Sequence, residues 1–179
     1  MPAGIEGARQ VLAPFLVAGA DLRALSQALK PQPEDYAAVF EGEAAAKAKA
    51  YYEKQWADGV ALLHAPEQTE LHLWQATTEQ LTNEPKGNVM KSDAKHFPGG
   101  YSKVAPHVKK GLTFYAFRIA APGSDTGMIF DGLVHVNGRW VIFAKPWIAL
   151  GLEGKDKIEK LMDEGSPAMI GEFLAKQKK

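Results

Sequence analysis

The sequence predicts an α+β domain: N-terminal helices packed on a curved, mainly antiparallel sheet, with a C-terminal helix. Three observations carry this. Apolar residues in the first third recur at helical spacing. From Thr69 onward, apolar and polar residues alternate in stretches of strand length. Asn137-Gly138 then separates two such stretches, and this pair suits a type I′ hairpin turn, which needs φ > 0 at both central residues.

The 179 residues fit one domain and are enough to bury a core without disulfide or metal staples. We divide residues 1–179 into an N-terminal helical extension (1–30), a core (33–147) and a C-terminal helical segment (155–179).

Ile5, Ala8, Val11, Leu12, Phe15 and Leu16 form the apolar stripe of a first helix, which Pro14 kinks or ends. Asp21 is a suitable N-cap for a short second helix with Leu22, Leu25 and Leu29 inside, and Pro31 stops it. Pro33 opens a third at its first position, with Glu34 and Asp35 at the positive end of the dipole and Tyr36, Val39 and Phe40 on the buried face. Gly42 is a candidate break. Beyond it Ala44, Ala48, Tyr52 and Trp56 recur every four residues and are read as core packing.

Thr69 to Ala76 alternates as a strand, and Thr77 with Gln80 forms a capping box for a short helix. Residues 83–111 are rich in Gly, Pro, Asn and Lys, which predicts a long connection with a helical turn near Tyr101 to Val108. Within it, Phe97-Pro98-Gly99-Gly100-Tyr101 is either a lid or, the simpler reading, a plain turn. Leu112–Ala120, Met128–Val136 and Arg139–Lys145 are three further strands. Ser166-Pro167 caps a final helix carrying Met169, Ile170, Phe173 and Leu174, and the basic KQKK end complements its dipole.

A two-residue turn at Asn137-Gly138 pairs Val136 with Arg139, His135 with Trp140, Leu133 with Ile142, and Asp131 with Ala144. Strict alternation then puts Asp131, Leu133, His135, Trp140, Ile142 and Ala144 on one face. Phe130, Gly132, Val134, Val141 and Phe143 take the other. Both faces are largely apolar, so both need a cover. The N-terminal helices cover one. The remaining helices, a homodimer partner or the walls of a ligand cavity cover the second.

This order of elements, with the hairpin VHVNGRWVIF, resembles the cone-shaped α+β superfamily of nuclear transport factor 2, the polyketide cyclases and ketosteroid isomerase. The resemblance covers roughly residues 33–147. It implies a small apolar ligand held inside the cone, with an aspartate or histidine used there by those members that are enzymes. Many members are not enzymes, and no catalytic motif matches residue by residue, so no role is transferred.

Asp131 is the foremost candidate site residue. A carboxylate in mid-strand, desolvated, has a raised pKa and suits a general base. The structural alternative is an ion pair with Arg118 on the neighbouring strand, or exposure at a sheet edge. His135, four residues on and roughly 13 Å away along the strand, and Tyr115 are candidate hydrogen-bond donors to the same ligand. A histidine near a hairpin end is more often simply half-wet.

No metal is expected. His64, His72, His96 and His107 are scattered, Asp93 and His96 lie in a loop, and cysteine is absent. No cofactor is expected either, because the chain lacks a Walker loop, a G-x-S-x-G elbow and a G-x-G-x-x-G turn. Gly151-Leu-Glu-Gly154-Lys155 lacks the spacing of a phosphate loop. With 21 basic and 21 acidic residues, nothing draws the whole chain to nucleic acid or to an anionic membrane. The apolar run Val11–Ala20 is short, broken by Pro14 and preceded by no basic region. It is a poor export signal and too short to span a bilayer, so a cytoplasmic location is expected.

Two functions follow. The first is a small-ligand or protein-binding domain without catalysis, for which the favoured ligand is a small apolar molecule. The alternative is an isomerase, dehydratase or cyclase with Asp131 as base and Tyr115 or His135 as donor. It requires a cavity into which Asp131 points, and is ended by a face filled with Trp74, Trp140 and Trp147.

Overall fold

A computed structural model of the chain describes residues 1–83 and 93–153. Among these, seven α-helices surround a four-stranded antiparallel sheet, which is the expected α+β class.

The N-terminal stripes become helices much as their spacing predicts. Helix α1 spans Gly4–Leu12, and at Pro14 the chain tightens into a 3₁₀ turn over Ala13–Leu16. Helix α2 spans Leu22–Gln27, and Asp21 accepts the Ala24 N–H at 3.0 Å as its cap. Helix α3 runs Pro33–Val39 and α4 Gly42–Asp58, with Ala44, Ala48, Tyr52 and Trp56 buried on one stripe.

Strand β1 spans Glu70–Thr77 and α5 Thr78–Asn83. The Thr77–Gln80 capping box forms in both directions, at 2.8 and 3.2 Å. Helix α6 is the single turn Tyr101–Val104, followed by a 3₁₀ turn to His107. Phe97 and Tyr101 are both buried, so this end of the Pro-Gly-Gly segment is packed down. Strands β2 (Thr113–Ala120), β3 (Gly127–Val136) and β4 (Arg139–Ile142) complete a sheet of order β1-β2-β3-β4, and α7 is Pro146–Ala149. The helix expected from Ser166 onward lies outside the described residues.

Asn137 and Gly138 take φ of 53° and 72°, and the ladder pairs Leu133–Ile142, His135–Trp140 and Val136–Arg139 as expected. The expected pairing does not continue to Asp131–Ala144. Between Tyr115 and Phe117 of β2 lies only Ala116, whereas β3 places Asp131 and Gly132 opposite it. The extra residue is a β-bulge, and it resets the alternation. Phe130 therefore shares the face of Leu133, His135 and Trp140. Asp131 moves to the opposite face, with Phe114, Ala116, Val134 and Val141. Gly132 makes this possible with φ of 87°, in contact with the Phe143 backbone.

Each face has its own cover. On the His135 side, Trp140 Nε1 donates to the Pro2 carbonyl at 3.0 Å and the Trp140 ring lies against Gly7 of α1, while at the edge of β4 the Leu29 carbonyl accepts the Ile142 N–H at 3.0 Å. The N-terminal helices thus close that side. On the other, Phe143 meets Tyr36, Phe40 and Tyr52 edge-on, with ring centroids 5.2–5.6 Å apart. Such pairs add about 0.5–1.5 kcal/mol each beyond the area they bury.

Asp35, read from sequence as a dipole partner, has a larger role. It is fully buried, accepts the Gln32 N–H and the Asn137 amide at 2.7 and 2.9 Å, and pairs with Arg139. It thereby pins the β3–β4 hairpin to the start of α3.

A Cβ built on Gly132 falls 2.0 Å from the Phe143 carbonyl oxygen, which is backbone. Gly132→Ala combines this clash with a positive φ, and its expected cost is about 3 kcal/mol or more. Equilibrium urea denaturation measures it.

Candidate functional site

The bulge sends the Asp131 carboxylate into a buried polar cluster. Its Oδ1 accepts the Tyr101 hydroxyl at 2.7 Å and the Lys145 backbone N–H at 2.9 Å, and the residue is 6% exposed. Burial raises the Asp131 pKa above the usual 3.8, and the two donors and the Lys145 charge only partly offset that rise. Tyr52 and Tyr101 are also buried. Desolvation, and then the nearby Asp131 charge, push both hydroxyls well above the ordinary tyrosine value. The Tyr52 hydroxyl donates to the Ala144 carbonyl at 2.9 Å.

This cluster fixes where β4 ends and α7 begins. Lys145 adopts a left-handed conformation, φ 50° and ψ 56°, immediately before Pro146, which takes the first helical position of α7. Its N–H is held by Asp131, and its carbonyl accepts the Ile148 N–H at 3.0 Å. The turn opens a cleft of about 280 Å³ between α4, the end of β4 and α7. Tyr51, Tyr52, Trp56, Ile142 and Ile148 form apolar walls, and Lys145 and Gln55 supply polar groups. A few polar groups in an apolar concavity are the usual make-up of a small-molecule site. A wider groove of about 670 Å³ runs past Glu41, Glu79 and Lys110, and its walls are far more charged.

The three residues singled out from sequence do not meet. Tyr115 and His135 gather on either side of Trp140, with ring centroids 5.2 and 5.1 Å from it, on the face closed by the N-terminal helices. Burial raises the Tyr115 hydroxyl pKa. His135 Nε2 is 3.3 Å from the Met1 carbonyl. Asp131 lies across the sheet from both. Arg118 donates to the Asp125 carbonyl at 2.7 Å and lies over the Trp74 ring, so the partners of Asp131 are Tyr101 and the Lys145 amide. The three tryptophans divide likewise: Trp74 and Trp147 are on the Asp131 side and Trp140 on the other. Asp131 is not among the residues lining the cleft.

Sequence reasoning missed Tyr101 and Lys145. A usable signal for Lys145 was its position between a strand and a helix-starting proline. Among the described residues, no group of three or more His, Asp or Glu side chains is placed to hold a metal, and no helix is long and apolar enough to cross a membrane. No protein-family model, curated protein or solved structure matches the chain.

Two outcomes follow for the brace. A carboxyl whose pKa is raised by folding favours the folded state below its unfolded pKa, and that favour is lost as pH rises through the folded value. Ionised Asp131 therefore opposes stability at neutral pH. Asp131→Asn, which keeps an acceptor for both donors, is expected to stabilise the protein at pH 7, and this gain is expected to disappear below about pH 4. Urea titrations at the two pH values decide it. Separately, Lys145→Gly relieves the left-handed backbone and is expected to raise stability by about 1 kcal/mol, read as a shift in thermal midpoint.

Proposed function

We propose that this chain binds a small apolar molecule, without catalysing a reaction on it, in the cleft between α4, the end of β4 and α7. The observation that carries the reading is the lining. Aromatic and aliphatic residues line an open cleft of about 280 Å³, with Gln55 and Lys145 as the polar groups. The resemblance to the cone-shaped superfamily implies the same class of ligand. The position of Asp131 also supports binding over catalysis, because its carboxylate grips the amide of a lining residue and does not itself face the ligand.

One observation favours the alternative, an isomerase, dehydratase or cyclase using Asp131. Its pKa is raised and a tyrosine hydroxyl lies 2.7 Å away, a pairing that suits acid–base work. For that chemistry the Lys145 turn must open and release the carboxylate.

The test is titration with phenylnaphthylamine, a neutral apolar fluorophore, reading both its emission and the quenching of the protein's tryptophan emission. Saturable binding is expected. Val60→Trp, which fills the cleft from its rim, is expected to weaken that binding about tenfold or more, equivalent to 1.4 kcal/mol or more. Binding that is absent, or unchanged in Val60→Trp, rejects the cleft as the site.

A further inference from the structure

We infer that the ligand of this cleft is an acid: an apolar body bearing one carboxylate or similar anion, which Lys145 meets at the rim. The inference rests on the binding reading above and names the substrate class of the same site.

Three features converge on Lys145. It is the one charged residue lining the cleft among the described residues. Its backbone is left-handed, a conformation that glycine or asparagine adopts at lower cost, so the turn alone gives no reason for a lysine. Finally, both of its peptide groups are held. Asp131 accepts the N–H and Ile148 donates to the carbonyl, which fixes the direction in which the side chain leaves the backbone.

The cation acts on Asp131 at longer range but makes no ion pair among the described residues. Lys145 is exposed, and among the described residues no carboxylate lies within ion-pair distance of its Nζ. Asp131, the nearest acid along this turn, is turned to the backbone amide. An exposed lysine whose backbone is held in the lining of an apolar cleft complements a molecule whose body enters and whose anion stays at the rim. Asp131 is in this view a positioning residue that acts through the Lys145 backbone.

The test compares two probes of similar shape on the full chain: anilinonaphthalene sulfonate, an anion, and phenylnaphthylamine, which lacks the charge. The wild type is expected to prefer the anion. Lys145→Met is expected to weaken the anion about fivefold, the scale of one partly exposed ion pair, and to leave the neutral probe within about twofold. Lys145→Arg is expected to keep the preference, and molar salt to reduce it. If the neutral probe binds but Lys145→Met weakens both probes equally or neither, the acid assignment is overturned while the cleft stands. If neither probe binds the wild type, the cleft reading fails and takes this inference with it.

Discussion

The inserted residue in β3 is the constraint on which the rest of this structure depends. Opposite Ala116, Asp131 and Gly132 occupy the room of one residue, and Gly132 answers with a positive φ against the Phe143 backbone. Without the bulge, Asp131 would share the face of Leu133, His135 and Trp140, across the sheet from Tyr101 and the Lys145 amide. With it, the carboxylate reaches the Lys145 amide. That contact ends β4, starts α7 and shapes the wall of the cleft. A local irregularity of backbone thus specifies a concavity several residues away in sequence and on a different strand.

The two buried aspartates show how differently a carboxylate can be accommodated. Asp35 has a guanidinium, a side-chain amide and a backbone N–H, a nearly complete set of donors for a charge taken out of water. Asp131 has a hydroxyl and one backbone N–H on the same oxygen and, among the described residues, no ion-pair partner. Desolvation therefore outweighs the donors at Asp131, and its pKa rises. Asp35 works as a clasp between α3 and the hairpin. Asp131 is a brace whose charge strains the site it organises.

Local patterns were legible in the sequence, and their interruptions were not. The stripe of Ala44, Ala48, Tyr52 and Trp56, the caps at Asp21 and Thr77, and the Asn137-Gly138 turn each depend on residues within a few positions of one another. All appear where spacing and turn chemistry place them. The division of the hairpin into two faces held as far as Leu133 and failed at Gly132, because alternation was carried through a glycine that was itself the sign of a bulge. Asp131 was singled out for its unusual mid-strand position, and it is indeed buried and perturbed. Its partners were not legible, since Tyr101 is 30 residues away and the Lys145 contact is to backbone. Asp35 looked like an ordinary first-turn acid because its clasp partners lie more than 100 residues along the chain.

That last separation bears on how the domain assembles. The β2–β3 and β3–β4 hairpins close through short turns, so they can form as soon as their strands exist. The helices cannot settle so early. The shared aromatic anchor of α3 and α4 is Phe143, and the clasp that locks α3 joins residues 102 and 104 positions apart. As the chain leaves the ribosome, α1 to α4 emerge before β3 and β4, so their apolar stripes precede the surface that receives them. The β3–β4 hairpin and Phe143 just beyond it are therefore the surface against which α3 and α4 pack. Until it arrives, the first half of the molecule is a set of amphipathic segments awaiting a template, and it is in that interval that the nascent chain most needs shielding from its neighbours.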